Sequence, residues 1–313
     1  MEENKMKYYY KVYGLNIESE IKIQELVILN DEDKANIDVT IYIDNMPKSI
    51  NTAKNQEILE GFRKNEMWFY IKGIATYYIR NGQEIVVEPY RDIEDHYIKT
   101  YILGSAFGLL LIQKNIVAIH GGAVVFNDKA IICTGDTGAG KSTLTSALRL
   151  NGAKLVADDV SAIDIKDEIM VYPAYPQQKL CGDAVRKLGY DTGNFIRIDE
   201  GRDKYAIPSK SDFINKPIKL SAIFEIMVGD VEDVEIKELR GSEKMNTIMK
   251  NIYRGYVNQL AGLDREYLKK CLKVTKDINV YRMIRPKDEF TVNEQIELIK
   301  EELFKWDRKC ISL

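Results

Sequence analysis

Gly135-Asp136-Thr137-Gly138-Ala139-Gly140-Lys141-Ser142-Thr143 is the stretch from which the rest of the chain is read. Its first eight residues match the pattern G-x-x-x-x-G-K-[ST] at every fixed position. Ala130, Ile131, Ile132 and Cys133 form a short apolar run before it, as a buried parallel strand does. Leu144, Ala147, Leu148 and Leu150 follow at helical spacing. The spacing therefore predicts strand, loop and helix in that order. Glycines at 135, 138 and 140 free the backbone to turn successive N–H groups inward onto phosphate oxygens. The helix behind the loop adds its unpaired N–H groups and the positive end of its dipole. Lys141 brings a mobile charge for the β- and γ-phosphates, and the Ser142 hydroxyl is a hard oxygen ligand for Mg²⁺. The whole run from Gly135 to Thr143 is thus a candidate nucleotide-binding loop.

Working outward, Leu155-Val156-Ala157 is a second short apolar strand, and it ends in Asp158-Asp159, 17 positions after Lys141. Asn151-Gly152 reads as the stop of the intervening helix. The two carboxylates are expected at the C-terminal end of a strand in an open parallel sheet, the edge where ligands bind. One suits Mg²⁺ and the other suits accepting a proton from an attacking hydroxyl. On the other side, Val124, Val125 and Phe126 lead into Asn127-Asp128, and Ala130 to Ile132 return, a predicted hairpin. It would carry His120 back towards the loop, either against the γ-phosphate or packed and bonded to backbone.

His120-Gly121, the Gly-Asp-Thr-Gly-Ala-Gly-Lys-Ser loop and the Ala157-Asp158-Asp159 strand end resemble the catalytic half of the HPr kinase/phosphorylase family over roughly residues 95–310. That family comprises P-loop serine kinases with a fold related to phosphoenolpyruvate carboxykinase. The resemblance implies an α/β catalytic domain in which Lys141 and the loop bind ATP, and Ser142 and Asp159 serve Mg²⁺. It further implies that Asp158 is the general base for a substrate serine and that His120 sits by the transferred phosphoryl group. It also suggests a homo-oligomer. Two departures stand out: Thr143 occupies the position where the family usually has Glu, and no Glu-x-Arg-Gly-(Ile/Leu)-Gly-Ile segment follows. In its place stands Pro173-Ala174-Tyr175-Pro176-Gln177-Gln178-Lys179-Leu180. With Val12-Tyr13-Gly14-Leu15 and Ser19-Glu20-Ile21, this is similar to the stand-alone branch of HPr-kinase-like proteins found beside peptide biosynthesis clusters, which includes kinases of lasso-peptide precursors.

The 313 residues suggest two domains, a β-rich N-terminal module over 1–91 and the catalytic domain over 92–313. Tyr8–Tyr13, Val39–Ile43 and Met67–Ile71 read as strands. Ala75–Ile79 and Glu84–Glu88 read as a hairpin across Asn81-Gly82, a type I′ signal. Residues 92–113 predict a helix that bridges the two parts. Asp191–Lys210 reads as a polar loop, mobile over a substrate or an ordinary long connection. Ser221–Val228 is a buried strand, Glu243–Leu260 and Leu263–Val274 are helices, and Val280–Ile284 is a late strand. Thr291-x-x-Glu294 opens a last helix bearing Ile296, Leu298, Ile299, Leu303 and Trp306. Lys179, Arg202 and Lys204 are candidates for the cation that offsets transition-state charge.

A net charge of −3 gives no electrostatic case for nucleic acid or an anionic membrane. The four cysteines, at 133, 181, 271 and 310, lack C-x-x-C spacing and fit free thiols in a reducing cytoplasm. The N-terminus carries no secretory signal, and the apolar run Ile102–Ile112 is too short to span a bilayer. The expected function is an ATP- and Mg²⁺-dependent kinase acting on a serine of a peptide or small protein. Its alternatives are a bifunctional HPr kinase/phosphorylase and an ATP-binding switch that transfers nothing.

Overall fold

The computed structural model describes residues 6–191, 193, 195–199, 203–262 and 264–311. Its mixed α/β architecture is built on two large sheets and a small one. The first large sheet takes its strands from the N-terminal third: β1 (Tyr8–Val12), β2 (Leu15–Ser19), β3 (Val27–Ile28), β4 (Val39–Ile43), β5 (Glu60–Arg63), β6 (Glu66–Ile71), β7 (Ala75–Arg80) and β8 (Glu84–Pro89), in the order β3-β1-β2-β4-β8-β7-β6-β5. A helix not foreseen from sequence, α1 (Lys48–Asn55), packs Ile50 against Tyr78 and Val86 of this sheet. Tight turns set its registers. Tyr13 and Gly14 (φ 55° and 75°) join β1 to β2, and Asn81 and Gly82 (55° and 62°) join β7 to β8. Both pairs take the left-handed conformation that type I′ turns require.

The bridging helix forms as α2 (Asp95–Tyr101) and α3 (Phe107–Gln113), separated by a π-helical turn over Ile102–Ala106. It is fastened to the first sheet: the Tyr77 hydroxyl donates to Ile98 O at 3.1 Å, and Gln113 Nε2 donates to Ile79 O at 3.0 Å. Its apolar residues join one continuous core with side chains of both large sheets.

The second large sheet contains β9 (Val117–Phe126), β10 (Lys129–Gly135), β11 (Lys154–Ala157), β12 (Val160–Ile165), β13 (Ile169–Tyr172), β17 (Ile218–Gly229), β18 (Glu235–Glu238) and β19 (Asn279–Pro286). Between β13 and β17 lies a three-stranded sheet of β14 (Gln177–Cys181), β15 (Ile196–Asp199) and β16 (Lys204–Pro208). The helices are α4 (Lys141–Leu150), α5 (Gly182–Lys187), α6 (Gly241–Lys250), α7 (Gly255–Leu260), α8 (Arg265–Asp277) and α9 (Val292–Ile311). Alternation along β10 explains its central place: Ala130 and Ile132 face one core, while Ile131 and Cys133 face a second core against α4 and α9. Fully burying one such isoleucine is worth ~1.5–3 kcal/mol.

Three expectations are corrected. The sheet is mixed, not parallel: β10, β17 and β19 run parallel, whereas β9, β11, β12, β13 and β18 pair antiparallel. The stretch 191–210 is not a loop throughout, because β15 pairs with β16 there and β16 with β14; Arg202 lies outside the described residues. The helix expected over Glu243–Leu260 is broken between α6 and α7, where Ile252 makes a β-bridge to Ile119 and Arg254 takes a left-handed φ of 50°. α9 starts as expected behind Thr291, whose hydroxyl accepts from Gln295 Nε2; the Trp306 and Cys310 side chains lie outside the description. No helix among the described residues is long and apolar enough to cross a membrane.

Candidate active site

β10 ends at Gly135, and α4 begins at Lys141. Between them the chain turns on Gly135, Gly138 and Gly140, with φ of 138°, 84° and 107°. Side chains rarely adopt these conformations. At Gly135 a Cβ would also collide with the backbone carbonyl of Ile226 on β17. The loop is braced from outside: Arg285 Nε donates to Ala139 O at 2.9 Å, and Lys250 Nζ pairs with the Asp136 carboxylate at 2.9 Å. Lys141 folds back so that its Nζ donates to Asp136 O at 3.0 Å. Burial lowers the Lys141 pKa, while Asp159 and Asp136 oppose that shift. Ser142 lies in the first turn of α4, where its carbonyl accepts from the buried Gln178 Nε2 at 3.2 Å. Gln178 is in turn held by Arg149, itself paired with Asp212 at 2.7 Å.

The carboxylates follow the C-terminal end of β11, as expected, but in an antiparallel setting. β11 and β12 both lie antiparallel along β9, with Ala157 opposite Ala123 and Val160 opposite His120. Asp158 and Asp159 form the break between them. Asp159 takes a left-handed φ of 64°, its carbonyl accepts from Gly121 N at 3.1 Å, and Val160 N donates to Asp158 O at 2.7 Å. Two consecutive side chains thereby leave the strand's alternation, and they differ in environment. Asp158 is 4% exposed, and its Oδ2 accepts from Lys179 N at 2.8 Å. Burial, with Asp159 next door, pushes its pKa up to about 6. Asp159 is about one-third exposed.

His120 Nδ1 lies 3.4 Å from Asp159 Oδ1 without hydrogen-bond geometry. Burial lowers its pKa against the pull of Asp159, which favours the neutral imidazole at pH 7. The side chain lines a cleft of about 470 Å³ shared with Gly135, Asp136 and Thr137 on one side and Lys250–Arg254 and Tyr256 on the other.

The structure therefore brings together the loop, Lys141, His120, Asp158 and Asp159. Of the candidate cations, Lys179 stands beside Asp158, and Lys204 acts electrostatically on His120 and Lys141. Sequence reasoning missed the segment that walls the cleft. Asn251 accepts from Thr134 Oγ1 at 3.0 Å and donates to Glu225 Oε1 at 3.0 Å, tying the α6–α7 break to β10 and β17. Glu225 is completed by Arg282 at 2.7 Å. The turn-forming Asn251 and Gly255, inside an otherwise helical pattern, were the available signal. Tyr13 was also missed. The turn that carries it reaches from the first sheet to the second, and Tyr13 N donates to Pro173 O at 2.8 Å.

Searches against family models and against curated proteins found no match. Among solved structures, the HPr(Ser) kinase/phosphatase from Coxiella burnetii is similar over 62% of this chain and 95% of its own, at 14% identity and a TM-score of 0.34. That is a distant likeness in the arrangement of the chain.

Proposed function

We propose that this chain is a nucleotide-dependent phosphotransferase. More particularly, we read it as an ATP- and Mg²⁺-dependent kinase whose acceptor is a serine hydroxyl on a peptide or small protein. The observation that carries the reading is the break between β11 and β12, which sets a buried carboxylate of raised pKa and a half-exposed one within electrostatic reach of the loop lysine. A loop that only binds a nucleotide has no use for Asp158. A hydroxyl that must lose its proton does.

In this reading the N–H groups of Gly135–Thr143 cradle the phosphates, and Lys141 leaves Asp136 O to reach them. Asp158, ionised above pH 6, takes the proton as the serine oxygen bonds to the γ-phosphorus and the bond to the β-phosphate oxygen breaks. The donor set suits a magnesium ion. Among the described residues no cluster of three His, Cys, Asp or Glu side chains is present, and Mg²⁺ at a nucleotide takes one or two protein oxygens with the rest from phosphate and water. Ser142 and Asp159 would hold it, and when bound it neutralises charge on the β- and γ-phosphate oxygens. Neutral His120 offers one N–H to the phosphoryl group or to Asp159.

Intact-mass spectrometry after incubation with Mg²⁺-ATP, HPr and a panel of serine-bearing peptides tests the reading. One added phosphoryl group on a peptide but not on HPr is the expected result. Modification of HPr reversed by inorganic phosphate would replace it with the kinase/phosphorylase reading. Loss of ATP with no acceptor modified across the panel would overturn it in favour of a switch.

A further inference from the structure

Two cations stand on this side of the site, Arg254 and Lys179, the second with the buried Asp158 carboxylate within its electrostatic reach. Arg254 is half-buried, and among the described residues neither it nor Lys179 enters an ion pair. The guanidinium is nonetheless held in place. Its Nη2 donates to Ser105 Oγ at 2.7 Å, its Nη1 donates to Tyr256 Oη at 3.2 Å, and it lies 5.9 Å from the Tyr253 ring centroid. Holding it there takes a left-handed backbone at a residue with a Cβ. Such conformations persist where surrounding structure enforces them, and they cluster at ligand sites. Lys179 reaches the same place from β14: its Nζ is 3.9 Å from the position a Cβ would occupy on Gly104. Gly104 and Ser105 are neighbours in the π-helical turn, an irregularity found often at functional sites. The Tyr253 ring lies among these groups, 5.8 Å from that of His120 and within electrostatic reach of Asp159, Arg254 and Lys179.

A half-buried guanidinium is expensive to desolvate and is normally paired. Here its fork is fixed by neutral groups, the Ser105 and Tyr256 hydroxyls and Tyr253, which orient it without a carboxylate partner among the described residues. The phosphates have their own cations and backbone donors at the loop. Arg254 instead lines the cleft beside Gly135–Thr137, where an entering acceptor would lay the atoms next to its hydroxyl, and Lys179 approaches from β14 behind the turn that holds Ser105. We infer that Arg254 and Lys179 form an anion-recognition site for the acceptor, so that the preferred acceptor is a serine peptide carrying a carboxylate close to the hydroxyl. This rests on the phosphotransfer reading for the hydroxyl, but the recognition is independent of transfer.

The experiment separates the two. Fluorescence polarisation with Mg²⁺ and a non-hydrolysable ATP analogue measures binding of short serine peptides. Each carries Asp, Asn or Lys at a position flanking the serine, and each is made with a free or an amidated C-terminus. The same peptides are then offered with Mg²⁺-ATP. Anionic peptides should bind about tenfold more tightly than neutral ones, as expected for a charge-assisted pair. Arg254→Ala should erase most of that difference. Arg254→Glu should move the preference to the Lys peptides, a gain that a damaged fold cannot supply. Equal binding of anionic and neutral peptides by the wild type overturns the inference, as does an anionic preference that survives in the Arg254→Ala/Lys179→Ala double variant. Anionic peptides that bind through Arg254 and are not phosphorylated would leave this inference standing and remove the kinase reading. Phosphorylation indifferent to charge would do the reverse.

Discussion

Asp158 is the residue on which activity and stability pull apart. Its pKa is raised from 3.8 to about 6, so the folded state binds more protons than the unfolded state between those values. The stabilisation of the protonated form is complete below pH 4 and is lost as pH rises through 6. Above that, the ionised carboxylate costs about 3 kcal/mol, at ~1.4 kcal/mol per pKa unit. Asp158→Asn keeps an acceptor for Lys179 N and removes the charge. Calorimetry without Mg²⁺ should therefore show it more stable than wild type at pH 8 and no more stable at pH 4. The same variant should lose ~10²–10⁴-fold in turnover while still binding nucleotide. Near wild-type turnover would take Asp158 out of the chemistry. Lys141→Ala acts on the other partner: it should weaken ATP binding itself in a titration, and unchanged affinity would count against the loop. Both residues could be picked out in the sequence by type and spacing. Their environments could not, since burial of Asp158 and the folding-back of Lys141 depend on strands far away in the chain.

Among the elements, the strand–loop–helix of β10 and α4 and the hairpin of β9 and β10 form where local pattern predicts them. The β9–β10 turn carries Asn127 and Asp128 at φ of 48° and 59°, as a two-residue turn demands. The direction of neighbouring strands was not written locally. An apolar run reads alike in a parallel and an antiparallel setting, so the Asp pair was expected at the end of a parallel strand and follows the end of an antiparallel one, with β12 resuming after it. The α6–α7 break was hidden for a related reason: helical spacing continues through Ile248, Ile252 and Val257, and only tertiary bonds to Asn251 decide the matter. Asn251 is 5% exposed and serves Thr134, Glu225 and the Thr247 carbonyl. Asn251→Ala strands the buried Glu225 Oε1 at ~1–3 kcal/mol and loses the bonds to Thr134 Oγ1, which keeps His120 O, and to Thr247 O at ~0.5–1.5 kcal/mol each. Urea unfolding should show a loss of about 2–5 kcal/mol. A loss below 1 kcal/mol would mean that the break is held by something else.

Across the whole molecule, the two large sheets share a core through α2 and α3, and the β1–β2 turn reaches across to the Asp pair's surroundings. The turn's position was not foreseeable, because Tyr13-Gly14 announces a turn but not what the turn touches. Tyr13 is 3% exposed, stacks edge-on to Phe107 with centroids 6.0 Å apart, and has a buried hydroxyl with no hydrogen-bond partner among the described residues. Asp159, Asp158, Tyr175 and Tyr253 lie within its electrostatic reach. Removing an unsatisfied buried hydroxyl costs nothing in lost bonds, so Tyr13→Phe should leave the melting temperature unchanged or raise it. A fall worth more than ~1 kcal/mol would show that the hydroxyl has a partner in solution.

β10 is hydrogen-bonded on both edges, to β9 and to β17, for nearly its whole length. The wall opposite, from Asn251 to Arg254, belongs to no strand or helix, and a single bridge and a few side-chain bonds attach it. In terms of time, these two sides keep different clocks. Amide protons of Ile131–Thr134 should be among the last in the chain to exchange with deuterium, and that of Arg254, which has no backbone acceptor among the described residues, should exchange orders of magnitude sooner. The donor's floor would then be ready before anything arrives, and waiting for the wall to settle would set the pace at which an acceptor is admitted.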